Sequence, residues 1–277
     1  MTDIPAPSAL RPASATAHHA VPQQPFGQRL RGWLGWLLIA GLLAGSWNAA
    51  EMYRVTALFT DWRNMAEFGG AFLHPNFRDW DSYFTDMVVT IQIAIWGTAL
   101  AVVCGVPFAI LCSANVCPVW IVQPVRRLMD SCRAINEIVF ALLFVVAVGL
   151  GPFAGVMALF IHNLGVFAKL FSEAVESVDP RPVEGIRVTG AVRVQEVIFG
   201  VIPQVMPLWS SFTLYRLETN VRSATTLGIV GAGGIGQTLY ESIRSFQYAE
   251  TAAQIIIVVV TVIVIDLVSA RIRKALV

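Results

Sequence analysis

The chain has 277 residues, 56% of them hydrophobic and only 13% charged. Ordinary soluble domains carry roughly 25% charged residues, so a water-soluble globule is excluded, and a chain of this length has room for about six spans of roughly 20 residues with short loops between them. The formal net charge of +1 is uninformative in itself; its distribution along the chain is not.

Residues 1–30 read as a disordered cytoplasmic tail, with Pro5, Pro7, Pro12, Pro22 and Pro25. The tail is too polar for a signal peptide, and no clear cleavage site follows the first apolar run, so that run reads as a retained span. Residues 31–277 form the membrane domain. Its apolar segments are Trp33–Ala50, Met87–Cys112, Ile138–Leu150, Pro152–Phe171, Val197–Leu217 and Ala252–Ala270. Between the first two, Glu51–Ser82 mixes Trp62, Phe68, Phe72, Phe77 and Trp80 with acids, as an interfacial helix pair does. The short third segment is expected to begin near Ala134, with Asn136 and Glu137 at its cytoplasmic start. His162 and Asn163 fall near the middle of the fourth. Arg216, Glu218, Asn220 and Arg222 are expected at the outer end of the fifth, and Asp266 at the cytoplasmic edge of the sixth, near Arg271 and Arg273. No tandem repeat and no βαβ alternation is visible, so the expected class is all-α, a polytopic membrane protein of about six transmembrane helices.

Orientation follows from lysine and arginine. With the N-terminus in the cytoplasm, six spans return the C-terminus there. The inner side then holds Arg11, Arg29, Arg31, Arg126, Arg127, Arg133, Lys169, Arg181, Arg187, Arg193, Arg271, Arg273 and Lys274; the outer side holds Arg54, Arg63, Arg78, Arg216, Arg222 and Arg244. The bias supports both termini inside. Cys104, Cys112, Cys117 and Cys132 have no metal-ligand spacing and read as free thiols.

The most informative stretch lies between Glu173 and Pro207, where the apolar pattern stops and resumes. Pro180 and Pro182 end one helix and can open another, because proline is tolerated in a first turn. Gly190 permits a tight bend between two short helices, and Pro203 stands where a span re-enters the bilayer. Glu184, at the start of the second helical region, can complement a helix N-terminus or meet a basic group on another protein. An ordinary polar loop would also separate two spans. It need not be about 25 residues long, helical and punctuated by glycine.

The spacing E-x5-G-x12-P over Glu184, Gly190 and Pro203 resembles the cytoplasmic coupling loop of ABC importer permeases, here spanning about 173–200. The general motif has two alanines where this chain has Gly185 and Ile186, and isoleucine and leucine where it has Gly200 and Ile202. The strings RLMDSCRAINEIVFALLFVVAVGLGPFAG, PVEGIRVTGA, GVIPQVMP and NVRSATTLGIVGAGGIGQTLYESIR resemble one branch, the phosphonate importer permeases. That resemblance implies the type I ABC importer permease fold. It also implies a homodimer in a bacterial inner membrane, two ATP-binding cassette subunits below, and a periplasmic binding protein for phosphonate or phosphite above. Glu184, Gly185, Gly190 and Pro203 would couple to the ATPase. ATP and magnesium would be bound by that partner, so this chain needs no cofactor and is not itself an enzyme.

The run Gly231-Ala232-Gly233-Gly234-Ile235-Gly236 satisfies G-x-G-x-x-G. A dinucleotide site would need a preceding strand and an acid about 20 residues on, and here a span follows instead. Two readings stay open: close helix packing through small residues, or a backbone turn or re-entrant segment near the pathway whose N–H groups could help an anion. Ionisable groups in spans are expensive and usually face a bundle interior. Asn136, Glu137, His162, Asn163, Arg216, Asn220 and Arg222 are therefore the candidate translocation residues. Each has a structural alternative: an interhelical hydrogen bond for His162, mutual neutralisation or snorkelling for Arg216 and Glu218. If a separate receptor supplies affinity, weak and dispersed polar contacts suit passage better than a cage of arginines. No G-x4-G-K-[ST], no G-x-S-x-G and no His/Cys cluster is present. The absent motifs argue against an enzyme, and the resemblance implies a permease subunit for phosphonate or a related reduced phosphorus oxyanion such as phosphite. The rivals are an ion-coupled secondary transporter of a small anion and a membrane-embedded enzyme.

Overall fold

The structure is a computed structural model that describes residues 26–60 and 62–276, side chains being described for most of these. The chain divides into two compact units, 1–65 and 66–277. In chain order the helices are α1 (Phe26–Ser46), α2 (Val55–Thr60), α3 (Trp62–Phe72), α4 (Trp80–Cys112), α5 (Val119–Ala134), α6 (Glu137–Val148), α7 (Pro152–Glu176), α8 (Pro180–Val188), α9 (Arg193–Gln195), α10 (Ile202–Gly228), α11 (Ile235–Arg244) and α12 (Tyr248–Leu276). A 3-10 turn, Met52–Arg54, precedes α2, and a π-helical segment, Glu196–Val201, joins α9 to α10. There is no strand among the described residues. The expected tail lies mostly outside the described residues, and α1 begins at Phe26.

Most of each apolar run falls on a helix, the first run extending past Ser46 into a turn and the third past Val148. In the first unit α1 is apolar over Gly32–Ser46. In the second, α4, α7, α12 and the continuous Arg193–Gly228 rod are each long and apolar enough to cross a membrane. The third segment is different. It is a broken pair, α5 and α6, bent by 86°. The break has a local cause. Ile135 and Asn136 are extended, and the Asn136 side chain accepts from the Ile138 N–H at 2.9 Å, capping α6 at its second residue. This corrects the expected position of Asn136 and Glu137. They do not begin a span at the cytoplasmic edge; they sit at the break, level with His162, whose Nδ1 donates to the Ile135 carbonyl at 2.9 Å.

Small residues set the packing of the second unit. A Cβ added at Gly97 would lie 2.7 Å from Leu159 Cβ, and one at Gly105 would lie 3.1 Å from Phe167 Cβ. The two contacts advance together along both helices, so α4 and α7 run parallel. Gly165 admits the backbone of Met129 and Arg133 in the same way. Such close approach is how helices associate where no hydrophobic effect drives them together. On α10, Trp209 stacks on Phe171 with ring centroids 4.8 Å apart, while Asn220 reaches Asn163. Hence α10 runs antiparallel to α7. Arg222 and Glu218 of α10 meet Asp266 and Arg273 of α12, which turns the chain once more. Apolar side chains such as Val103, Val146, Val259, Val260 and Ile263 remain exposed on the outside of the bundle, as lipid-facing positions do.

Candidate functional site

Two groups of residues stand apart by chemistry. One lies halfway along the bundle and the other at the end where α7 turns into α8.

The midway group is built on the α5–α6 break. Glu137 Oε1 accepts from Ser223 Oγ at 2.9 Å, and its Oε2 lies 3.6 Å from His162 Nε2. These side chains are partly exposed, at 21% and 17% for Glu137 and His162, and Asn136 beside them is exposed. On α10, Arg222 is 47% exposed and lies 3.4 Å from Glu218 and 3.9 Å from Asp266. Glu218 is shared with Arg273 at 3.6 Å. The expected neutralisation of Arg216 by Glu218 is therefore not what forms. Glu218 serves Arg222 and Arg273, and the buried Arg216 Nε has no hydrogen-bond partner among the described residues. The placement of Arg216, Asn220 and Arg222 at the outer end of the fifth span is corrected too. Helix α10 continues to Gly228, and its contacts put Asn220 opposite Asn163 in the middle of α7.

Asn163 and Asn220 are seated inside the bundle, at 0% and 2% exposure. Asn163 Nδ2 donates to Leu159 O and to Asn220 Oδ1; Asn220 Nδ2 donates to Thr98 Oγ1, which donates to Ala94 O. This chain of amides ties α7, α10 and α4 together. Each buried polar group left unbonded would cost about 1–3 kcal/mol, so the pair acts as a brace behind the exposed residues.

At the other group, Asp179 caps α8 through the Arg181 N–H, and Pro180 occupies its first position. Gly190 has φ +84° with nothing within 4 Å of its would-be Cβ, so its role is backbone conformation and not space. Glu184 is corrected in position: it is mid-helix in α8, exposed beside Gly185, and does not cap a following helix. The second helix of the loop is no separate element. It is the start of the rod that becomes α10, with Pro203 in that helix's first turn.

What sequence reasoning missed is how this knob is held. Arg187 donates to both carboxylate oxygens of Glu196, from Nε at 2.9 Å and from Nη2 at 3.0 Å. This hydrogen bonding holds the guanidinium above its already high ordinary value, so it stays charged. Gly200 lets Val183 and Ile186 of α8 pack onto the π-helical turn, its would-be Cβ lying 3.1 to 3.3 Å from them. Arg193 donates to the Val116 carbonyl at 2.8 Å, and Glu176 accepts from the Ala114 N–H at 2.7 Å and pairs with Arg126. The outward face carries Val188 at 88% exposure, with Val192 and Val194 also exposed. In the sequence Arg187, Arg193 and Glu196 are only scattered charges, and nothing in their spacing picks Glu196 as the partner of Arg187.

The glycine run joins α10 to α11 through a backbone turn packed closely by its small residues. Gly231, Gly233 and Gly234 have positive φ, and Gly236 packs against Gly228 so closely that a Cβ at Gly228 would lie 2.6 Å from Gly236 Cα. The Gly151 N–H donates to Gly231 O at 3.0 Å and the Ile235 N–H to Thr90 Oγ1 at 2.9 Å.

Residues 105–277 match the family described as binding-protein-dependent transport system inner membrane component. The phosphite transport system permease protein PtxC of Stutzerimonas stutzeri is 35% identical over 272 residues, covering 94% of this chain and 98% of that protein. The putative cryptic phosphonate transport system permease protein PhnE2 of Escherichia coli K12 is 58% identical over 118 residues, 43% of this chain and 97% of that protein. Among solved structures, the inward-facing MetNI methionine ABC transporter superposes with a TM-score of 0.60 at 21% identity, over 70% of this chain and 95% of that one; this likeness concerns the fold.

Proposed function

The chain belongs to the family of inner membrane components of binding-protein-dependent transport systems, and we propose that it is the pathway subunit of an ATP-driven importer for phosphonate or a related reduced phosphorus oxyanion such as phosphite. The observation that carries the substrate class is the end-to-end similarity to a phosphite permease. The observation that carries the mechanism is the exposed, firmly held α8 knob, whose apolar Val188 and charged Glu184 face outward.

In this reading two copies of the chain form the pathway, and two ATP-binding cassette subunits dock on α8. Glu184, Gly185 and Gly190 shape the docking surface, and Pro203 begins the rod that carries motion into the membrane. Because Arg187–Glu196 and Gly200 fix α8 to the base of α10, displacement of the knob is displacement of the rod. Asn136, Glu137, His162, Arg216 and Arg222 border the passage, with Asn163 and Asn220 bracing its wall. The passage residues carry both signs, with carboxylates next to every arginine of α10 that pairs. That gives an oxyanion weak, dispersed contacts, which suits release. The subunit breaks no bond. Both termini lie in the cytoplasm. An ion-coupled carrier is not favoured, because dependence on a binding protein defines the family.

The test is reconstitution with the cognate ATPase and binding protein. Uptake of labelled methylphosphonate or phosphite should require ATP, both partners and this chain together. Uptake driven by an ion gradient without the ATPase would overturn the reading.

A further inference from the structure

At the end of the bundle remote from α8, a recess of about 510 Å³ opens between the start of α4 and the α11–α12 hairpin. Helix α4 separates the two ends. It has 33 residues, or roughly 50 Å of helix. The recess is firmly built: the Asn76 N–H donates to Ala249 O at 2.9 Å, Thr238 Oγ1 donates to Asp86, and the Ile235 N–H donates to Thr90 Oγ1.

Its chemistry is one-sided. Asp79, Asp81, Glu241 and Glu250 line it against the single base Arg78. Gln254 lies at its floor, 0% exposed; the amide Nε2 donates to Ser242 Oγ at 3.0 Å, but Oε1 has no hydrogen-bond partner among the described residues. A buried carbonyl without a donor is costly, so the recess lacks a donor for Gln254 Oε1 at its floor and carries more negative than positive charge around it.

The excess of carboxylates repels an oxyanion, so the recess does not take the transported substrate. Nor do the acids converge: among the described residues no three His, Cys, Asp or Glu are grouped as a metal site requires. Acceptors spread around a hollow suit instead a cation on a long side chain, which reaches in, offers several N–H donors and keeps its stem in the mouth.

We infer that this recess receives a lysine or arginine side chain of the substrate-binding protein, with Gln254 Oε1 as the deep acceptor and Asp81, Glu241 and Glu250 as the charged rim. The inference rests on the importer reading, which places this end outside. Charge of this kind governs encounter and register more than turnover. The docked cation would also bridge α4 and the α11–α12 hairpin.

The experiment uses the complete transporter in proteoliposomes and titrates the binding protein against ATP hydrolysis. Asp81 and Glu241 are exposed, so Asp81→Asn with Glu241→Gln leaves the core intact. The doubly substituted transporter should need about tenfold more binding protein for half-maximal stimulation. The maximum at saturation should be unchanged, and the dependence on salt should flatten. An unchanged half-maximal concentration and salt response would overturn the inference. So would a lowered maximum at the same half-maximal concentration, which would mean the recess transmits a signal without docking. A response to calcium or magnesium at constant ionic strength, abolished by the substitutions, would make it a metal site and also overturn it. If the unsubstituted transporter shows no stimulation by any binding protein, the importer reading fails first and this inference with it.

Discussion

Gly190 and Arg222 show how differently two residues of one permease are constrained. Gly190 has φ +84° and open space around it, so a substitution there is judged by backbone preference alone. The left-handed region costs an ordinary residue roughly 1–2 kcal/mol, and asparagine tolerates it. Gly190→Val should therefore still reach the membrane yet lose ATPase docking or hydrolyse ATP without uptake, whereas Gly190→Asn should stay near the unsubstituted level. Co-purification of the ATPase and uptake in proteoliposomes measure both; equal, full coupling by the valine variant would remove α8 from the transmission path. Arg222 is constrained by charge. It is half-exposed and held loosely, at 3.4 and 3.9 Å, by two acids. Arg222→Gln should slow uptake several-fold, roughly the loss expected of one steering charge, with ATPase assembly intact. Normal uptake at saturating binding protein would make Arg222 a structural residue of the α10–α12 contact.

Among the elements, α8 and the rod beginning at Arg193 behave as one body. The Arg187–Glu196 pair is the sole two-pronged ion pair between them among the described residues, and Gly200 supplies the close packing beside it. Glu196→Gln removes the charge and keeps the shape. The expected result is a transporter that binds its ATPase but shows weakened coupling, read as fewer substrate molecules moved per ATP. Exchanging the pair, Arg187→Glu with Glu196→Arg, should recover part of that ratio; no recovery would mean that each residue acts alone. This element also shows where the sequence was legible. Pro180, Gly190 and Pro203 announced a helix start, a bend and a helical first turn because proline and glycine act through their own backbones. The pairing of Arg187 with Glu196 was not legible, because it depends on a π-helical turn that shifts the phase of the rod, and no local residue type encodes that shift. The α5–α6 break escaped for a related reason: Asn136 reads equally well as a polar residue in a span or as a helix cap, and only the Ile135–His162 contact decides.

For the whole molecule, the apolar runs gave the class and the positions of the long helices, since hydropathy over about 20 residues is a property of composition; the count differs, because among the described residues four helices, or five if the bent α5–α6 pair is one span, are long and apolar enough to cross, and the apolar part of α1 is shorter. Depth was harder. The sequence puts Arg216 and Arg222 on the outer side, yet α10 carries them halfway along the bundle. Removing them from the outer tally strengthens the positive-inside asymmetry, because Arg126, Arg181, Arg187 and Arg193 gather at the α8 end while Arg78 and Arg244 stand at the other. Orientation then becomes testable with single cysteines once Cys104, Cys112, Cys117 and Cys132 are replaced by serine or alanine. Thr189 follows α8 and Ser245 follows α11, and both are exposed. Thr189→Cys should react with a membrane-impermeant maleimide only in inside-out vesicles, and Ser245→Cys only in intact spheroplasts. Labelling of both from one side would mean that an odd number of crossings does not separate them, contrary to the long rod between them. Labelling of each from the opposite side would invert the molecule, put α8 out of reach of any ATPase, and turn the acidic recess toward the cytoplasm.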